Sequence, residues 1–201
     1  VGGRSRVAAQ MLAGRGFKEV YNVSGGIKAW KSNTAVGPQT QGMHLFKGDE
    51  SAGAFLVTAY SLEQGLQRFY RDMADKAQNG AVTDLFQKLA AIEEKHMDQV
   101  FERYRDLVDS AVSRQGFEDK ITASALEGGM TVDQYLSLFD PDLSRPDEVI
   151  SMAMSIEAQA LDLYQRVADK MTAPQARTVV LEIAREENHH LARLGELMDS
   201  L

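Results

Sequence analysis

Two tetrapeptides, Glu93-Glu94-Lys95-His96 and Glu187-Asn188-His189-His190, each place a carboxylate and an imidazole three residues apart. On a helix that spacing puts both side chains on one face, one turn apart. The face is apolar: steps of three and four from Leu89 reach Glu93, His96 and Val100, and the stripe runs on to Leu107. A charge buried there without a partner is costly, so something on the inside must accept it. Glu63 and Glu157 interrupt two other apolar stripes in the same way. One Glu from each of two helices, with Glu-x-x-His from each of two more, is the ligand set of a dinuclear metal site in a bundle core. Four carboxylates balance two divalent cations, which explains how the cluster can be buried. Carboxylate oxygen mixed with imidazole nitrogen suits iron or manganese, with zinc as a substitute. The candidate metal ligands are therefore Glu63, Glu93, His96, Glu157, Glu187 and His190.

Long helices must position these groups. Hydrophobic periodicity predicts them over 52–78, 82–114, about 147–170 and 174–198, with Pro146 a natural first residue of the third. The inward stripes read Leu56, Ala59, Glu63, Leu66, Tyr70, Met73 on the first and Ile150, Ala153, Glu157, Ala160, Tyr164, Val167 on the third. The fourth reads Ala176, Val180, Ile183, Glu187, His190, Leu194, Leu197. Tyr70 and Tyr164 lie seven residues after Glu63 and Glu157, where their hydroxyls would steady ligand carboxylates. A core tyrosine at that spacing also serves packing alone. Met73, Met97, Met152 and Met154 read as core filler rather than a sulfur site.

An internal repeat ties the helices together. A shift of 94 residues lays "AYSLEQGLQRFYRDMADK" (59–76) on "AMSIEAQALDLYQRVADK" (153–170), and "LAAIEEKHMDQV" (89–100) on "IAREENHHLARL" (183–194). Glu63 then falls on Glu157, Tyr70 on Tyr164, Glu93 on Glu187 and His96 on His190. Two copies of a helical hairpin, related by an approximate two-fold, bring four helices around one centre. Glu186 and His189 form a rival pair, but both the heptad and the repeat favour Glu187 and His190.

Composition narrows the function classes. At 201 residues, 44% hydrophobic and 25% charged, the chain reads as a soluble globular protein with one good core and a smaller appendage. A net charge of −7 argues against nucleic acid or an anionic membrane as partner. There is no cysteine, hence no disulfide framework, thiolate site or cysteine nucleophile in this chain. No apolar run approaches membrane-spanning length and no secretory signal is visible, so a cytoplasmic location is expected. The first residue is Val rather than Met, as in a chain lacking its natural start.

Residues 1–32 differ in character from the rest. "GGRSRVAAQMLAGRGF" predicts a short helix closed by Gly14 and Gly16, "KEVYNV" a strand, and "SGGIKAW" a turn into a last helical turn. Residues 33–52, polar and punctuated by Gly and Pro, read as a linker that holds an exposed His44.

Residues 53–201 resemble the rubrerythrin branch of the ferritin-like di-iron proteins, on Glu63, "EEKH" (93–96), Glu157 and "ENHH" (187–190). The resemblance implies an all-α, ferritin-like four-helix bundle with one long crossover, for which residues 115–146 have the length. "TVDQYLSLF" (131–139) would form a small helix within it. It also implies two iron ions that react with peroxide or dioxygen, electrons from an external donor protein, and a homodimer. Two departures stand out. The family's further Glu, three residues after the third-helix ligand, is Ala160 here, and the family's four-cysteine rubredoxin module is absent. The six remaining ligands look closer to a bacterioferritin centre.

Residues 1–32 resemble the C-terminal end of a rhodanese domain. "VGGRS" (1–5) matches the second half of its sulfur-carrying loop, and "GGIKAW" (25–30) its closing motif. The resemblance places the nucleophilic cysteine two positions before Val1, so no sulfurtransferase activity is expected of this chain. In an intact parent the pairing would point to sulfide or persulfide metabolism under oxidative stress.

Two function classes follow: a di-iron oxidoreductase, or an iron-binding protein that buffers metal without turnover. The register is tested first. Alanine at Glu93, His96, Glu187 or His190 should reduce metal content below two ions per chain, as measured by metal analysis after loading. Glu186→Ala and His189→Ala should leave it unchanged; damage at those two positions would show the fourth helix to be misread by one residue.

Overall fold

Local signals start each long helix. The computed structural model describes residues 40–121 and 127–200. The rhodanese-like reading of residues 1–32, and residues 33–39 of the expected linker, lie outside the described residues. The helices are α1 (Ala52–Lys76), α2 (Gly80–Leu107), α3 (Arg114–Glu118), α4 (Val132–Phe139), α5 (Pro146–Lys170) and α6 (Pro174–Asp199). Ser51 caps α1 by accepting the Ala54 N–H at 3.2 Å, and Asn79 caps α2 by accepting that of Ala81 at 3.0 Å. Proline opens both α5 and α6, where its missing N–H costs nothing. No strand occurs among the described residues, and no helix there is long and apolar enough to cross a membrane.

The second helix is shorter than the periodicity predicts, ending at Leu107 rather than near residue 114. Beyond it the Asp109 carboxylate accepts the Ala111 N–H at 3.1 Å, and Ser113 caps α3 by accepting that of Gly116 at 3.1 Å. Such local side-chain bonds offer the backbone an alternative to the helix. Leu107, expected on the inward stripe, is consequently 43% exposed. The small helix expected within 131–139 is α4, which Thr131 and Gln134 start with a capping box.

Packing separates into two apolar cores. The first holds the early part of α1 (Phe55, Leu56, Ala59), the late part of α2 (Val100, Phe101), the late part of α5 (Leu163, Val167) and the early part of α6 (Val180, Ile183). The second holds the complementary ends: Leu66 and Phe69, Leu85 and Leu89, Ile150 and Ala153, and Leu194. Hence α1 runs antiparallel to both α2 and α5, and α6 runs parallel to α1. A two-fold that exchanges the hairpins must lie across the bundle axis, through the layer between the cores.

The chain passes between hairpins by the long crossover after α2, and within it Glu127–Gly129 form a 3-10 turn. Gly128 and Gly129 have φ of 76° and 80°. A Cβ on Gly128 would lie 2.6 Å from the Cβ of Gln159 on α5, and one on Gly129 would lie 2.4 Å from the Cα of Gly42. Only glycine permits that conformation and that approach together. Residues 40–48, within the expected linker, fasten the same corner. Met43 and Phe46 are buried, Arg166 donates to the Gln41 carbonyl at 3.0 Å, and Thr172 N–H donates to that of Gly48 at 3.0 Å. His44 is exposed, as expected.

Gly128→Ala combines a left-handed backbone with an overlap on α5, and should cost about 2 kcal/mol or more. Gly80→Ala, whose new Cβ meets nothing within 4 Å, is the control and should be neutral or slightly stabilising. Thermal unfolding of the two variants beside the parent checks this.

Candidate metal centre

All six residues singled out by the sequence meet in the layer between the two cores. Their exposures run from 1% for Glu63, Glu93 and Glu187 to 7% for His190. They form two groups, Glu63 with Glu93 and His96 from α1 and α2, and Glu157 with Glu187 and His190 from α5 and α6. In each group one ligand atom per residue lies within 4.8 Å of the others. His96 Nδ1 is 2.8 Å from Glu93 Oε2 and 3.6 Å from Glu63 Oε2. His190 Nδ1 is 2.9 Å from Glu187 Oε2 and 3.6 Å from Glu157 Oε2. The sequence repeat is thus a repeat of geometry. The two imidazoles stack across the two-fold, centroids 3.6 Å apart and planes 6° from parallel.

The rival pair points elsewhere. His189 is exposed, and Glu186 turns to the flank, where Arg103 Nη2 donates to its carboxylate at 3.1 Å. Tyr70 and Tyr164 are both fully buried but on opposite sides of the layer. Tyr70 packs on Phe69 and Phe86, and Tyr164 meets Phe55 edge-on. Ala160 is buried in the first core, one turn along α5 from Glu157.

The donor set fits a pair of divalent cations. Oε2 of Glu63 and Oε2 of Glu157 are buried without a hydrogen bond, and each faces the Nδ1 of its own group. A buried carboxylate oxygen left so is costly, and a cation between the three ligand atoms would satisfy it. Without metal, protons do part of this work. Burial alone would lower the His96 pKa, but the neighbouring Glu63 and Glu93 carboxylates outweigh it and raise the value to about 11. For Glu63 burial acts to raise the pKa, yet His96 more than offsets it and the carboxyl stays below its ordinary range. Burial, with Glu157 and Glu63 nearby, drives Glu93 well above that range. The group that holds one cation would otherwise carry an imidazolium and a protonated carboxyl.

A cavity of about 350 Å³ reaches this layer between α2 and α6, with Glu93, Glu157 and His190 on its floor. Residue spacing gave no sign of an opening. Nor did it show the clasp at the other end of the same seam, where Arg103 of α2 meets Glu186 and Glu182 of α6 at 3.1 and 3.4 Å. A signal was present all the same: the 94-residue shift pairs Glu186 with Ile92 and Arg103 with Leu197, so the repeat loses its polarity match at these positions. On the outer side of α2, Gln67 and Arg71 of α1 both donate to Glu94 at 2.8 Å and tie the first hairpin beside its ligands.

The family model described as Rubrerythrin matches residues 54–198, and the chain belongs to that family. No curated protein and no solved structure was found to match it.

Protonated His96 cannot ligate, so metal binding must displace its proton and that of Glu93. Apparent affinity should therefore rise with pH, about tenfold per pH unit for each proton displaced. In the metal-free protein the stabilisation from His96 is fully present below its ordinary pKa of 6.5 and is lost as pH rises toward 11. Calorimetric titration with ferrous iron or manganese in buffers of different ionisation enthalpy counts the protons released. Loading should also raise the unfolding temperature. Proton release near zero and an unchanged melting point would show that these residues do not take the metal.

Proposed function

We propose that this member of the rubrerythrin family is a di-iron oxidoreductase that reduces peroxide or dioxygen with electrons from another protein. The observation that carries the reading is the combination of a buried, two-fold donor set with a cavity that reaches it. A site that only fastens a fold is closed by its ligands, whereas a reactive one keeps an approach for a small molecule. Here the approach ends on ligands of both groups, Glu93 of one and Glu157 and His190 of the other.

When bound, an iron pair would supply two electrons, one from each ion. The chain's part is to hold and isolate it. Glu63, Glu93 and His96 would hold one ion, and Glu157, Glu187 and His190 the other. The apolar cores above and below close the layer along the bundle axis. Short turns at 77–79 and 171–173 hold the hairpins in register, so each imidazole meets its carboxylates without rearrangement. Tyr70 and Tyr164 are buried on either side of the layer and pack in its two cores. With Ala160 in place of a seventh carboxylate, the two ions have nearly the same surroundings. The chain has no cysteine and so cannot itself build a thiolate-held electron-transfer centre.

Because no seventh carboxylate distinguishes the two ions, reduced protein should be oxidised by both peroxide and dioxygen, without a strong preference for peroxide. Oxidation should stop after one round unless a small redox protein is added as donor. Stopped-flow mixing of the diferrous protein with each oxidant, with and without donor, reads this directly. Failure to react with either oxidant would favour the iron-holding reading.

A further inference from the structure

The two halves of the centre are alike, but their flanks are not. The shift of 94 residues that exchanges the hairpins carries the Glu186–Arg103 ion pair onto Ile92 and Leu197. On one flank of the α2/α6 seam, Arg103 spans the gap and bonds Glu186 at 3.1 Å and Glu182 at 3.4 Å. On the other, Ile92 and Leu197 form no such clasp, and with Leu89 and Leu194 they give the cavity of about 350 Å³ an aliphatic stretch, which Lys88, Arg193 and Glu196 also line. The opening sits at one of two equivalent places, and it has the aliphatic pair Ile92 and Leu197 where the closed place has an ion pair.

Size then speaks to the occupant. A water molecule's share of the liquid is about 30 Å³, and dioxygen or hydrogen peroxide is only modestly larger. The cavity is roughly ten times that water volume and falls in the range of about 300–1,000 Å³ typical of sites for small organic molecules. Lys88, Arg193 and Glu196 can hydrogen-bond a polar group, but the four aliphatic side chains would gain from covering hydrocarbon, which hydrogen peroxide and dioxygen lack.

We propose that this cavity binds the apolar body of an organic hydroperoxide and presents its O–O group to the layer of Glu93, Glu157 and His190. The inference rests on the reading of the centre as a peroxide-reducing di-iron site. In the reaction the O–O bond breaks as the hydroperoxide takes up two electrons, one from each ferrous ion, and two protons from solvent. The products are the alcohol and water, and the electrons are replaced by the donor protein.

The test separates binding from turnover. Cumyl alcohol, the unreactive product of cumene hydroperoxide reduction, is titrated calorimetrically into zinc-loaded protein. It should bind, and the double variant Ile92→Glu with Leu197→Arg, which transplants the opposite ion pair, should weaken binding at least tenfold while keeping two metal ions per chain. Ile92→Trp fills the same space without charge and should do likewise, which covers the case in which the double variant fails to fold. Stopped-flow mixing of diferrous protein should show cumene hydroperoxide reacting at least as fast as hydrogen peroxide. Should hydrogen peroxide react while cumyl alcohol does not bind and cumene hydroperoxide is more than tenfold slower, the inference is overturned and the peroxide reading survives. Alcohol binding that neither variant weakens also overturns it, since the alcohol then sits elsewhere. If neither oxidant reacts, the peroxide reading fails and this inference with it.

Discussion

Four carboxylates and two imidazoles buried in one layer of a helical bundle set the terms for the rest of the structure. Apolar burial can drive the helices together only if the charge of that layer is balanced within it. In the absence of metal, the balance falls to protons on His96 and Glu93 and to the contacts from each Nδ1 to its carboxylates. Two cations would balance it without distortion of the donor set, since the atoms that lack hydrogen bonds already face the gaps. The layer therefore weakens the bundle as a polypeptide and strengthens it as a metalloprotein.

The two-fold explains why so few parts suffice. Each hairpin contributes one Glu from one helix and Glu-x-x-His from the next, so correct packing of one hairpin on its copy completes the site. The distances in the two halves agree to within 0.1 Å, 2.8 against 2.9 Å and 3.6 against 3.6 Å. One departure from symmetry lies on the flanks of the α2/α6 seam. There the ion pair of Arg103 with Glu186 and the aliphatic pair of Ile92 and Leu197 give one centre a closed side and an open one.

The crossover performs a separate task. It must return the chain along the bundle so that α5 starts at the end where α2 began, and it does so while lying against α5 just past Glu157. Gly128 and Gly129 permit that approach, and the strap of residues 40–48 holds it from outside through Arg166 and Thr172. The ligand-bearing helices are thus braced by segments that carry no ligand.

Much of this was legible in the sequence because periodicity and repetition act locally. Steps of three and four named the stripes, and Glu63, Glu157 and the two Glu-x-x-His pairs stood out as charges where leucine belonged. The 94-residue shift chose Glu187 and His190 over Glu186 and His189, and in the structure the first pair is buried while His189 is exposed. Hydrophobicity alone carries α2 on to about residue 114, but bonds at Asp109 and Ser113 break the pattern and the helix ends at Leu107. What tertiary structure alone decided is how the helices meet: the stacking of His96 on His190, the clasp at Arg103 and the cavity opposite it. A helix face is written in one stretch of chain, because its residues repeat at a fixed angle. A gap between two helices depends on side chains about a hundred residues apart, and only their packing shows whether they close it or leave it open.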